Sequence, residues 1–184
     1  MSATEPGHVD LVAVDEGRVD DLVRFFADLP EGDLTFVKED VGSAEAIRAW
    51  LRPDRQWVAV GDDGGVAGFV AVLGLHGWSD HVGEVRLVVH PGHRGRGLGR
   101  TLARHALVSA LGLGLTKVVV EVAADQQALL AMFDGLGFTG EALLRDHIRD
   151  RAGALHDLVL LAHHVDDTWT AMRSIGLDDE LAPP

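Results

Sequence analysis

Residues Val88 to Leu102 read VVHPGHRGRGLGRTL, an apolar strand-like run that turns into a helical pattern through a loop of glycine and arginine. Gly95, Gly97 and Gly99 allow backbone torsions, and a closeness of approach, that a Cβ would forbid. The helix that follows opens with unpaired N–H groups and the positive end of its dipole. A strand handing over to a helix in this way forms a cradle for an anion, and for a pyrophosphate in particular. For three glycines taken alone, a glycine-rich surface turn is the plain alternative. Spacing removes two nucleotide-binding readings. The dinucleotide fingerprint needs G-x-G-x-x-G, whereas the glycines here fall at 95, 97 and 99. A Walker loop needs a Gly-Lys pair, and the chain has none.

Charge supports the anion reading. Between Val85 and Val120 there is no Asp or Glu, while Arg86, Arg94, Arg96, Arg100, Arg104 and Lys117 supply six positive charges. The whole chain carries −13, from 16 basic and 29 acidic residues, so everything outside that segment stands at −19. An anion-attracting segment is set in an acidic body, which favours cationic small molecules or peptides and disfavours nucleic acid and anionic lipid. A length of 184 residues suits one domain that buries roughly 70% of its unfolded surface. The absence of Cys excludes a disulfide, a thiolate zinc cluster and a cysteine nucleophile. The absence of Tyr excludes a phenol as general acid. The first residues, MSATEPGHVDL, lack the basic and apolar runs of a signal peptide, and Val66 to Leu75 is far shorter than the ~20 residues of a membrane span. A soluble, cytoplasmic protein is the expectation.

Apolar periodicity alternates in type along the chain. Strand patterns fall at His8–Val14, Gln56–Gly61, Val66–Leu75, His81–His90, Thr116–Val122, Phe138–Ile148 and Leu155–Val165. Helical patterns fall at Arg18–Leu29, Ser43–Leu51 and Gly97–Leu113, with Ser43 as an N-cap. A further helix runs from Asp125, read as its cap, through Leu136, and Gly137 ends it. Pro30–Asp40 reads as a loop or broken helix, DDGG as a hairpin turn, and RDRAG as the turn of a last hairpin. The expected architecture is one α+β domain, residues 1–165, on a mixed, mostly antiparallel sheet of about seven strands with helices on both faces. Residues 166–184 read as a C-terminal tail.

With these elements in place the chain resembles the GNAT superfamily of acyl-CoA-dependent N-acetyltransferases. Arg94-Gly95-Arg96-Gly97-Leu98-Gly99 fits that family's first signature, Gln/Arg-x-x-Gly-x-Gly/Ala, between a strand and a helix. DQQALLAMFDGLGF, Asp125 to Phe138, is similar to its second, Asn-x-x-Ala-x-x-x-Tyr/Phe-x-x-x-Gly-Phe, through Ala128, Gly137 and Phe138, with the aromatic shifted by one residue. The resemblance implies acetyl-CoA as co-substrate, its pyrophosphate held by the backbone amides from Arg94 to Arg100. It implies that backbone groups of Val88 and Val89, where the fourth strand splays from the fifth, pair with the pantetheine arm. Arg94 and Arg100 add charge or are merely surface residues. Asp125 stands where the family often has a cofactor-contacting Asn, and equally suits an N-cap. Phe133 takes the place of the family's tyrosine acid.

Acetyl transfer to an amine needs a neutral amine, a stabilised oxyanion and a leaving thiolate. An alkyl amine of pKa ~10.4 is almost wholly protonated near neutrality, so a base is required. Glu84 is the first candidate, because its place on the fourth strand resembles that of the catalytic glutamate of some relatives; pairing with Arg86 is its structural alternative. Glu121 is the second, since a carboxylate inside the apolar TKVVVEV strand is costly without a purpose; a salt bridge is its alternative. The proton donor to sulfur is unassigned. His90, His147, His156, His76 and Trp78 are candidates for the acceptor pocket, with solvated loop positions as the plainer reading. No His pair has metal-ligand spacing, and no metal is expected. The acceptor is expected to be a cationic small-molecule amine or a protein amino group, with nucleic acid and membrane excluded and a homodimer left open. A catalytically silent acyl-CoA-binding sensor is the competing function.

Overall fold

The computed structural model describes residues 9–165, so His8 and the expected tail from 166 onward lie outside the described residues. The strands are β1 (Asp10–Ala13), β2 (Gln56–Val60), β3 (Val66–Gly74), β4 (Val82–Val89), β5 (Lys117–Ala123), β6 (Thr139–Arg149) and β7 (Leu155–His164). The helices are α1 (Val19–Ala27), α2 (Glu31–Leu34), α3 (Ala44–Trp50), α4 (Leu98–Gly112) and α5 (Gln127–Asp134). The strands form a seven-stranded sheet in the order β1-β2-β3-β4-β5-β7-β6. β4 and β5 run parallel, joined by α4, and every other neighbouring pair is antiparallel. The fold is α+β with helices on both faces, as the sequence predicts. Among the described residues no helix is long and apolar enough to cross a membrane.

Each face has its own core. On one side α1 and α3 bury Leu22, Phe25, Phe26 and Ile47 against Val58 and Phe69. Phe26, Trp50 and Phe69 meet edge to face at centroid separations of 5.8–6.4 Å, a geometry their quadrupoles favour. On the other side α4 presents Leu98, Leu102, Ala103 and Ala106, and α5 presents Phe133. Small residues let α4 lie close. A Cβ at Gly68 would stand 2.8 Å from Leu102 Cδ1, so that glycine makes room for the helix on β3.

Alternation along β4 decides which side chains reach which face. Val85, Leu87 and Val89 pack with the α4 core, while Val88 packs with the α1 core. Glu84 and Arg86 share the face of Val88. Ser43 caps α3 as expected, its Oγ accepting from Ala46 N at 3.1 Å. Asp125 does not cap α5. The helix begins two residues later, and Asp125 contributes only its main-chain oxygen, which accepts from Gln127 N at 2.9 Å. α5 ends at Asp134 rather than Leu136; Gly137, at φ 83°, carries the chain out, and Phe138 N donates to Phe133 O.

Candidate active site

The pairing of β4 with β5 covers Val82↔Lys117, Gly83↔Val118 and Glu84↔Val119, and stops there. Beyond Glu84 the two strands separate, and a cleft of about 1310 Å³ opens between them. The hydrogen-bond phase of β4 follows from two contacts. Leu75 N donates to Val82 O, and His90 N donates to Ala67 O. Even-numbered residues of β4 therefore turn their main-chain groups toward β3, and odd-numbered ones toward the gap. Val89 faces the cleft as expected. Val88 also lines the cleft, through its side chain, but its N–H and C=O belong to the β3 side; the main-chain groups that share the open edge with Val89 are those of Leu87.

At the far end of β4 the chain turns through the 3₁₀ segment Pro91–His93 into the glycine loop. Gly95 and Gly97 have φ of 73° and 85°, and a Cβ on either would meet nothing within 4 Å. Space, not packing, lies in front of them. Arg94 N donates to Pro91 O, so the cradle begins one residue later than the motif suggests. Among the described residues the main-chain N–H groups of residues 95 to 100 have no acceptor, and Gly97, the N-cap of α4, supplies no side-chain cap. Six consecutive unpaired donors at a helix start make a strong anion site. Gly99 serves packing: a Cβ there would sit 3.2 Å from Met132 Sδ, so this glycine lets α4 and α5 converge.

Arg94 and Arg100 line the cleft, and each already has a protein partner there or beside it. Arg94 Nε donates to Val89 O at 3.0 Å and its Nη2 to Asp33 Oδ2 at 2.5 Å. Arg100 Nη1 lies 3.5 Å from Gly135 O. Arg96 does not line the cleft. Asp125 lines it, but its carboxylate lies 3.4 Å from His156 Nδ1. Phe133 is buried between α5 and the sheet, edge to face with Phe138 at 5.0 Å.

Glu84 and Glu121 meet at the vertex of the cleft through a residue the sequence reading passed over. Lys38 Nζ lies 2.7 Å from Glu84 Oε1 and 2.7 Å from Glu121 Oε2. Glu84 is further held by Arg86, whose Nε and Nη2 donate to its two oxygens at 3.1 and 3.2 Å. Arg86 also pairs with Glu39. The pairing of Glu84 with Arg86 and a salt bridge for Glu121 are thus both present, and both involve cations of the same cleft. Burial works against the Lys38 ammonium, but its hydrogen bonds to Glu121 and Glu84 outweigh that and raise its pKa above 10.5. Burial lowers the pKa of the Arg86 guanidinium from its ordinary range.

Of the histidines and Trp weighed for an acceptor pocket, His147 lines the cleft. It is brought there by an irregularity in the β6–β7 register between Leu144 and Ile148, where Asp146 adopts φ 52°. His90 instead accepts from Gly92 N, His156 pairs with Asp150 and Asp125, and Trp78 is almost fully exposed. His93, not foreseen, lines the cleft.

The Acetyltransferase (GNAT) family model matches residues 23–138. Streptothricin acetyltransferase of Streptomyces lavendulae is 38% identical over 84 residues, 46% of this chain and 44% of that protein. Mycothiol acetyltransferase of Nocardiopsis dassonvillei is 37% identical over 123 residues, 62% of this chain and 36% of the relative. The chain thus spans less than half the length of these relatives. The crystal structure of spermidine N-acetyltransferase from Vibrio cholerae with CoA and spermine superposes with a TM-score of 0.72 at 18% identity, covering 86% of this chain and 96% of that one. That likeness shows the fold. The matched span runs from α1 through the splayed strands and the glycine cradle to Phe138, and the chain belongs to the GNAT acetyltransferase family.

Proposed function

We propose that the protein transfers the acetyl group of acetyl-CoA directly to the primary amine of a cationic acceptor. The observation that carries this reading is the juxtaposition of an unpaired amide cradle with two carboxylates already sharing one alkyl ammonium. Main-chain N–H groups of residues 95 to 100 receive the pyrophosphate. The pantetheine arm lies along the open edge of β4, where the main-chain groups of Leu87 and the N–H of Val89 are open to it in place of the missing β5 pairing. An arm running from the cradle along that edge brings the thioester toward the vertex at Glu84.

The acceptor ammonium takes the place that Lys38 Nζ occupies. Glu84, fixed by Arg86, orients it. Glu121, whose side chain is the more exposed of the two and is ion-paired to Lys38 without Arg86's fork, is the better placed proton acceptor. The neutral amine attacks the thioester carbon, and open-edge N–H groups face the developing oxyanion. Phe133 supplies no proton, yet a thiol of pKa ~8.5 leaves tolerably as thiolate near neutral pH. Acceptors such as spermine, bound by the Vibrio cholerae structure, have the required chemistry of alkyl ammonium groups.

Release of CoA thiol, followed across polyamines, aminoglycosides, amino-acid derivatives and a lysine peptide, tests the reading. The protein has no Cys to add a thiol background. Turnover on at least one cationic amine is expected. Binding of CoA with no turnover on any amine would favour the sensor instead.

A further inference from the structure

We propose that Lys38 is itself an acceptor: the protein acetylates Lys38 Nζ in cis, using acetyl-CoA. The inference rests on the acetyl-transfer reading above and adds a modification site to it. Lys38 Nζ stands between the two carboxylates that would take a proton from an acceptor, at 2.7 Å from each. Its side chain is 43% exposed and lines the same cleft as the glycine cradle.

The position is built, not incidental. Val37 N donates to Leu34 O, anchoring the loop to α2. Glu39 is ion-paired to Arg86, and Trp50 Nε1 donates to Asp40 O at 2.9 Å. The residues on both sides of Lys38 are therefore pinned, and its side chain is directed at the vertex where β4 and β5 part. Composition sharpens the point. Lys38 and Lys117 are the chain's two lysines, every other basic residue counted with them being an arginine. An arginine stays charged and cannot serve as a neutral nucleophile. Lys117 provides an internal comparison: its Nζ pairs with the single carboxylate of Glu141, and it does not line the cleft.

In the step itself, Lys38 gives one proton to Glu121, and its nitrogen pair attacks the thioester carbon of acetyl-CoA. A C–N bond forms, the tetrahedral intermediate collapses, and the C–S bond breaks. CoA leaves as thiolate and takes up the second proton, shed by the nitrogen of the intermediate, while the first stays on Glu121 until solvent removes it, and Lys38 becomes a neutral amide. Acetylation removes the ammonium and with it both ion pairs, leaving the two carboxylates open to an external acceptor.

The test is peptide mapping by mass spectrometry after incubating the full chain with acetyl-CoA and no acceptor. Lys38 is expected to gain an acetyl group ~100-fold faster than Lys117, the scale of a positioned general base. The rate constant is expected to be independent of protein concentration, and Glu121→Gln should slow it by a similar factor while calorimetric acetyl-CoA affinity is kept. An unmodified Lys38, or equal rates at Lys38 and Lys117, in protein that binds acetyl-CoA and acetylates an amine from the panel overturns the inference alone. A rate constant that grows with protein concentration overturns transfer in cis. Failure to bind acetyl-CoA overturns this inference together with the reading it rests on.

Discussion

Gly97→Val is the substitution that most directly tests the cradle. Gly97 is the N-cap of α4 at φ 85°, a region that a β-branched residue strongly avoids. If valine keeps that torsion, the strain lowers stability by about 1–2 kcal/mol. For a chain of this length that is a fall of about 2–8 °C in Tm. If the backbone instead relaxes, the peptides on both sides of Gly97 rotate, and two of the six unpaired N–H groups turn away from the cleft. Each charge-assisted hydrogen bond is worth about 1.5–3 kcal/mol, so their loss removes about 3–6 kcal/mol of binding. That corresponds to a ~10²- to 10⁴-fold rise in the Kd for acetyl-CoA, read by calorimetry. Because a Cβ at Gly97 meets nothing within 4 Å, steric damage to the core is not a competing cause. Gly112→Ala, at the other end of the same helix and also free of neighbours, is the control: it should raise stability by about 0.5–1 kcal/mol and leave the Kd alone. A Gly97→Val protein with reduced Tm but wild-type Kd would refute the cradle assignment.

Glu121→Gln is expected to lower kcat ~10²- to 10⁴-fold with little change in acetyl-CoA affinity, and Glu84→Gln to lower it less; the reverse order, in stopped-time thiol assays, returns the base role to Glu84. Lys38→Met leaves two carboxylates without their shared cation, so the KM for a cationic acceptor should fall ~2- to 30-fold, the equivalent of two partly exposed ion pairs, and a raised KM would show that Lys38 helps bind the acceptor. His156 pairs with Asp150, which raises the histidine pKa above 6.5, chiefly through their hydrogen bond, and lowers that of Asp150 below 3.8. A raised histidine pKa contributes stability that is present below 6.5 and lost as pH climbs through the folded value, while the carboxylate's contribution is lost in acid. The Tm deficit of His156→Ala should therefore be larger at about pH 5.5 than at about pH 8.5, and a deficit equal at both would remove the pair from the account.

Element types and order, and the handover from strand through glycine loop to helix, are legible in the sequence because each rests on local chemistry: period-two runs, a Ser43 cap, and glycines where φ turns positive. The cleft itself is half legible. Glu121 stands out as a carboxylate in an apolar strand, Glu84 by its place in the family resemblance, and strand alternation places Glu84, Arg86 and Val88 on one face. The phase of the hydrogen bonds along β4 is another matter, since periodicity assigns side chains to faces but says nothing of which edge a main-chain group addresses. Periodicity therefore does not separate Leu87, whose main-chain groups face the gap, from Val88, whose main-chain groups face β3. Asp125 fails as a cap because an N-cap is a backbone geometry, and the second signature's preceding turn places the helix start two residues further on. Lys38 is invisible to motif reading, for it lies in a loop without periodicity and reaches its partners across 46 and 83 positions of chain. Its scarcity is the available signal: one of only two lysines in an acidic chain whose other cations are arginines calls for an explanation.

The geometry also explains why the cradle motif is written in glycine more than in charge. Arg94 and Arg100 both spend their guanidinium groups on main-chain oxygens, Arg94 on Asp33 as well, and the cleft keeps its character without them. What the cleft leaves unpaired among the described residues is backbone: six N–H groups at the start of α4, and on the open edge of β4 the main-chain groups of Leu87 and the N–H of Val89, whose oxygen accepts from Arg94. A ligand that supplies an anion at one end and an amide-bearing chain along the other completes a helix cap and a sheet edge at once. Main-chain recognition of this kind depends little on the identity of the side chains. Under the proposed acetyl-transfer reading, acceptor choice falls to the side chains at the vertex, Lys38, Glu39, Glu84, Arg86 and Glu121. Charge changes there, such as Lys38→Met, should alter acceptor kinetics while leaving acetyl-CoA affinity within about twofold.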